Sequence, residues 1–177
     1  MAEVVDREAR FRRMCEAHTA AVLAYALRRT SRDDAADVVA ETFLVAWRRL
    51  DDVDERTALP WLYAVARNVL LSQQRAARRQ QAIAERVAAG LPEAGETPAG
   101  SPRVLHALAA LAEGEREVLM LAAWEELSSS EAARVLGCSA TAYRIRLHRA
   151  RKRLRERLDG RVQPPTRAAR AEESAPC

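Results

Sequence analysis

With 177 residues the chain has room for one ordinary domain or two small ones, and 49% apolar content supports a buried core and excludes wholesale disorder. Six glycines, seven prolines and an abundance of Ala, Leu, Arg and Glu favour helices over strands, so the fold expected is all-α. A net charge of +4 (29 basic, 25 acidic) is modest for a nucleic-acid binder. The three cysteines, Cys15, Cys138 and Cys177, are too few and too far apart for a disulfide framework. No apolar run approaches membrane-spanning length, and charge alternates from Glu3 to Arg13, so neither a signal peptide nor membrane insertion is expected and the location expected is cytoplasmic.

Apolar residues recur at Phe11, Met14/Cys15, His18, Val22 and Tyr25, the stripe of a first helix from about Arg7 to Arg29. Ser31 opens a second, with Asp34 three residues on as the capping partner and Asp33 in its first turn. Its expected buried stripe is Val39, Phe43, Ala46/Trp47 and Leu50, and Asp51 to Arg56 reads as a polar loop. Thr57 is the expected cap of a third helix with Pro60 in its first turn. Trp61, Leu62, Val65/Ala66 and Val69 give that helix an apolar face before it turns basic toward Arg86. Gly90 to Pro102 then holds three Gly and three Pro in thirteen residues, the composition of a linker.

Beyond it, Val104, Leu105, Leu108 and Leu111 form an apolar stripe that pauses at Gly114 and resumes at Val118, Leu119, Leu121, Ala122 and Trp124. Ser128 with Glu131 makes a capping box for a short helix that stops at Gly137, a left-handed cap. Ser139 caps a long final helix reaching about Leu158, and two helices across a tight Gly-containing turn form the helix-turn-helix pattern. The stretch after Gly160, with Pro164 and Pro165, has no periodicity and is expected to be disordered.

Charge is segregated along this sequence. Arg144 to Arg157 carries eight basic residues against one acid, Glu156, and Arg67, Arg75, Arg78, Arg79 and Arg86 form a second basic run against Glu85. Acidic stretches lie at Asp33 to Glu41 and Asp51 to Glu55. This separation points to two polyanion-facing surfaces and another for a different partner, although a basic run such as Arg75 to Arg79 is equally a solvated helix end. On the final helix, at 100° per residue, Tyr143, Leu147, Ala150 and Leu154 fall within about 60° of arc and face the core. Opposite lie Thr141, Ile145, His148, Arg149 and Lys152, with Arg144 and Arg146 on the flanks. An isoleucine at the centre of a basic face suits a groove where it meets a thymine methyl.

The chain resembles the extracytoplasmic-function group of bacterial sigma factors, which keep two DNA-binding domains, regions 2 and 4, on a flexible linker. Region 2 is similar to DAADVVAETFLVAW (Asp34 to Trp47) followed by WLYAVARN (Trp61 to Asn68), and region 4 to LSSSEAARVLGCSATAYRIRLHRARKRL (Leu127 to Leu154). The resemblance implies region 2 over 1–88, a linker over 89–102, a region-4 helix-turn-helix over 103–160 and a tail over 161–177. It implies a factor that binds core RNA polymerase and directs promoter-specific initiation, with double-stranded promoter DNA and a melted strand as further partners and an anti-sigma factor as a customary one. By the same resemblance Asp37, Glu41 and Phe43 dock on polymerase. Asp54, Arg56, Trp61, Asn68, Arg75 and Arg78 serve the −10 element, and Asp51 to Thr57 captures an extruded base. Glu131, Thr141, Arg144, Ile145, Arg146, His148, Arg149 and Lys152 serve the −35 element. Ala40 stands where the family usually has Gln, Ser72 where it has Asp, and Thr141-Ala142-Tyr143 replaces a common Gly-Thr-Val.

Such a factor performs no chemistry, and no enzyme is expected. The three histidines, His18, His106 and His148, sit apart, and no nucleophile–base or metal constellation accompanies them, so no cofactor is implied. Cys15 and His18, three apart on one helix, fit core packing better than half a metal site. Trp61 and Tyr63 are the aromatics offered around the melting helix, so weak melting and strict promoter choice are expected. The competing class is a helix-turn-helix regulator that never touches polymerase, and copurification with core polymerase separates the two. The linker, and the lack of an evident apolar patch for mutual docking, predict modules that move independently.

Overall fold

A computed structural model describes residues 2–85 and 102–159. Its long elements are α1 (Ala2–Leu27), α2 (Arg32–Arg48), α3 (Ala58–Glu85), α4 (Pro102–Ala109), α5 (Glu113–Trp124), α6 (Ser129–Leu136) and α7 (Ala140–Leu158), and no strand occurs among the described residues. The linker centre and the tail lie outside them.

In the N-terminal bundle α1, α2 and α3 pack on one another in every pairing. The α1 stripe falls as its spacing predicts, with Met14, Val22 and Tyr25 buried and Phe11 and Cys15 packed alongside. Ser31 caps α2, its Oγ accepting from the Asp34 amide at 3.2 Å. The buried α2 residues are Ala35, Val38, Thr42, Phe43 and Ala46, so the stripe runs half a position earlier than expected and Val39 and Trp47 sit at its edge. The loop from Asp51 to Arg56 is more ordered than its polarity implies, because 3-10 turns at Leu50–Asp52 and Glu55–Thr57 enclose the buried Val53. Asp54 caps the second of these turns, its carboxylate accepting from the Arg56 amide at 3.0 Å, and the hydroxyl of Thr57, expected to cap α3, instead donates to the Asp54 carbonyl at 3.4 Å.

In the C-terminal module α4, α5 and α6 all pack against α7. The break between α4 and α5 falls at 110–112 instead of at Gly114, which lies inside the first turn of α5. Arg116 secures the break by donating to the carbonyl oxygens of Leu108, Ala109 and Leu111. Ser128 and Glu131 form a complete capping box on α6, and Gly137, at φ 65°, takes the left-handed cap that any side chain would strain. Ser139 caps α7 through the Ala142 amide at 3.1 Å. Tyr143 and Ala150 are buried, with Leu147 and Leu154 half-buried beside them.

The two modules do not stand apart. Helix α3 packs along α6, and one apolar cluster runs from Leu62, Ala66 and Leu70 into Val118, Leu121, Ala132 and Val135. The expectation of modules without a mutual docking surface is therefore overturned. The surface is built from small and medium residues spaced among polar ones, and no sequence window concentrates them.

Candidate nucleic-acid and partner surfaces

On α7 the residues opposite the buried stripe reach solvent. Thr141, Arg144, Arg146, His148, Arg149 and Lys152 are exposed, and Ile145 is 47% exposed among them. The face starts at Thr141, two residues after the Ser139 cap, so unpaired backbone amides and guanidinium groups gather at one end. Few of these charges are tied down: Lys152 lies 3.9 Å from Glu156, and Arg144 reaches only the Thr141 hydroxyl, at 3.4 Å. Glu131 is placed differently. Its carboxylate holds the Ser128 amide at 2.8 Å and the Ser128 hydroxyl at 2.6 Å, and those bonds keep its pKa below the ordinary value. Its carboxylate is committed to starting the helix-turn-helix.

Helix α2 presents a second face. Asp37, Ala40, Glu41, Leu44 and Arg48 are exposed at helical spacing, with Leu44 48% exposed in an acidic setting. Phe43 is not part of that face. At 8% exposure it lies in the core, edge-on to Phe11 at 6.3 Å. Leu44, which the sequence reading passed over, occupies the exposed position beside Glu41.

The third surface follows the 50–57 segment and α3. Helix α1 clamps that segment: Arg7 donates to the Trp47 carbonyl and lies over its ring, while Arg10 reaches the Val53 carbonyl and pairs with Glu55 at 3.3 Å. Asp54 and Arg56 project from the clamped turn, with the Asp54 carboxyl held low first by its bond from the Arg56 amide. Beside it opens a cleft of about 220 Å³ lined by Arg10, Arg13, His18 and Glu55. Trp61 is half-buried against the core, and Asn68 and Arg75 are exposed. Arg78 is exposed but pairs with Glu113 of the other module at 3.2 Å. Tyr63 is 3% exposed and stacks on Tyr25 at 4.9 Å.

Charged groups join the modules. Arg28 meets Glu125 at 2.7 Å, Arg29 meets Glu117 at 2.9 Å and Glu125 at 3.1 Å, and the Tyr25 hydroxyl donates to Glu117 at 2.9 Å. Glu125 is nearly inaccessible, and the chain turns sharply after it through Glu126, whose φ is 50°. Burial opposes the Arg29 charge, yet the Tyr25 oxygen and the two carboxylates lift its pKa above the ordinary arginine value.

Comparison with known proteins gives these surfaces a family. The chain matches sigma-70 region 2 over residues 14–80 and sigma-70 region 4 over residues 102–154. It is 34% identical over 152 residues to the ECF RNA polymerase sigma factor SigL of Mycobacterium tuberculosis, covering 81% of this chain and 86% of that one. It is 36% identical over 142 residues to the RNA polymerase sigma factor CnrH of Cupriavidus metallidurans, covering 71% and 74%. Among solved structures it is similar to the sigma factor RpoE of Bartonella quintana in complex with the anti-sigma factor NepR. There the TM-score is 0.67 at 28% identity, over 84% of this chain and 96% of that one. It is also similar to CnrH in complex with the cytosolic domain of CnrY, with a TM-score of 0.56 at 32% identity, over 86% and 89%.

The paired regions and their basic helix-turn-helix define a promoter-reading initiation factor. The chain belongs to the extracytoplasmic-function group of sigma-70 family sigma factors. As such it binds core RNA polymerase and directs promoter-specific initiation, and nothing supports the competing polymerase-independent regulator. No described helix is long and apolar enough to cross a membrane.

Proposed function

We propose that the protein performs this role through three separate faces. Residues 1–88 form the polymerase-binding and −10 module, 89–102 the linker, 103–160 the −35 module, and 161–177 a tail. Asp37 and Glu41, with Leu44 added and Phe43 as the core residue beneath, dock on polymerase. Asp54, Arg56, Trp61, Asn68, Arg75 and Arg78 serve the −10 side. Thr141, Arg144, Ile145, Arg146, His148, Arg149 and Lys152 read the −35 side, with Glu131 supporting them as a cap. The observation that carries this reading is the α7 face, basic and almost unpaired, with an exposed isoleucine at its centre. Phosphate attraction supplies sequence-independent affinity there, and side chains near the helix N-terminus supply discrimination.

The factor acts in the cytoplasm and performs no catalysis of its own. A proteinaceous inhibitor, an anti-sigma factor, is the partner that its relatives' complexes support. The test is transcription in vitro with purified core polymerase and genomic DNA. Start sites gained with the wild-type chain should vanish with Asp37→Arg/Glu41→Arg. Retention of those start sites by a folded double variant would remove α2 as the docking face.

A further inference from the structure

Between the modules lies a cleft of about 640 Å³, walled by α1 and α3 on one side and α5 on the other. Its arginines do not balance. Arg28 and Arg29 are answered by Glu117 and Glu125, and Arg78 by Glu113. Arg67 and Arg116, which also line the cleft, have no carboxylate among the described residues. Arg116 spends Nε and Nη2 on three carbonyl oxygens, which hold the guanidinium without cancelling its charge. The Nε of Arg67 is buried with no acceptor, and so is Nη2 of Arg29, on a side chain 7% exposed.

Two guanidinium charges left without a carboxylate in a cleft whose other arginines are paired favour an anion there. The volume lies within the range of small-molecule sites. Leu70, Leu71 and Met120 add an apolar wall.

We propose that this cleft binds a small phosphorylated molecule of about nucleoside diphosphate size. Its phosphate oxygens meet Arg67 and Arg116, and its less polar part lies against Leu70 and Met120. A planar guanidinium fork suits phosphate better than any other side chain. Because the walls come from both modules, the ligand joins them and favours the closed arrangement over the open one. Backbone phosphates of a single DNA strand offer the same chemistry, so the test must separate a free ligand from nucleic acid.

Titration calorimetry on the full chain, with pyrophosphate, ADP and a thymidine oligonucleotide in separate arms at matched ionic strength, makes that separation. Pyrophosphate and ADP should each bind one to one, and scattering should show no expansion of the bound chain. Arg67→Gln removes no ion pair and should keep the unliganded melting temperature while weakening both ligands by about tenfold or more. Gln74→Glu, which adds a carboxylate to the same wall, should weaken them similarly and serves if the first variant fails to fold. Absence of binding by both small ligands overturns the proposal, as does binding that neither variant weakens. Binding of the oligonucleotide alone assigns these arginines to nucleic acid and overturns it equally.

Discussion

On α7 the arginines and Lys152 carry the same charge and are expected to do different work. Arg144 lies in the first turns beside the exposed Ile145, whereas Lys152 lies two turns on, loosely paired with Glu156. Base contacts are worth about 1–3 kcal/mol of discrimination, while phosphate contacts add affinity without preference. Arg144→Ala should therefore relax preference at one position of the upstream element. Lys152→Ala should weaken all sequences alike and lower the salt slope by about one counterion's share. Binding to a library randomised in that element at two salt concentrations checks both, and an unchanged preference profile for Arg144→Ala would reject the division. The exposed basic face itself was legible in sequence because a helix wheel needs only local geometry. Caps were legible for the same reason: Ser31, Ser128, Ser139 and Gly137 all stand where their chemistry put them. Glu131 shows the limit, since the spacing that made it a capping residue also claims the carboxylate that the resemblance assigned to DNA.

On the proposed docking, helix α2 puts stability and polymerase contact on adjacent residues that one wrong register interchanges. Phe43 and Leu44 differ by 100° on the helix, which leaves one at 8% exposure and the other at 48%. Phe43→Ala should cost about 3–5 kcal/mol of stability, visible in denaturant unfolding, with polymerase affinity preserved in whatever folds. Leu44→Ala should leave the unfolding midpoint nearly unchanged and weaken association with core polymerase. The reverse pattern would return Phe43 to the docking face. Sequence periodicity could not separate them because the apolar stripe of α2 is broad. Val38, Val39, Thr42, Phe43, Ala46 and Trp47 span more than the buried arc, and α1 and α3 decide which half is covered. The α4–α5 break was misplaced for a similar reason. Glycine tolerates a helical first turn, and Ala112, without a capping side chain, begins α5 because Arg116 satisfies the carbonyl groups before it.

At the scale of the molecule, the contact between modules was the least legible feature, because its partners lie far apart in sequence, its buried ion pairs and hydrogen bonds 88 to 97 positions apart, and no local pattern names them. It also has a functional consequence. Elements named for positions −35 and −10 lie about 25 base pairs apart, about 85 Å at 3.4 Å per pair. A compact body of roughly 140 residues has a radius of gyration of about 14 Å and an extent near 40 Å. On the proposed assignment of the modules the closed arrangement cannot reach both elements, so opening is expected to precede promoter engagement. Burial first, then the charge of Glu125, raises the Tyr63 pKa from 10.0 to about 12. The folded chain thus holds that proton more tightly than the unfolded chain, so its contribution to stability is complete below about pH 10 and is lost as pH rises toward 12, and Tyr63→Phe should blunt the alkaline loss of stability measured by unfolding. The ion pairs give the stronger lever. Glu125 is 1% exposed at the side chain and bonds both Arg28 and Arg29, so Glu125→Gln leaves Arg28 without a carboxylate and Arg29 with Glu117 alone. Breaking a buried pair from one side typically costs about 3–5 kcal/mol, and here the modules can escape that cost by separating. The variant should have a larger radius of gyration than the wild type while keeping its helical content. With core polymerase it should start transcription at lower factor concentration, because less free energy is spent on opening. A variant that expands without gaining activity would show that the closed contact does not limit promoter engagement, and one that neither expands nor loses stability would show that Glu125 does not hold the modules together.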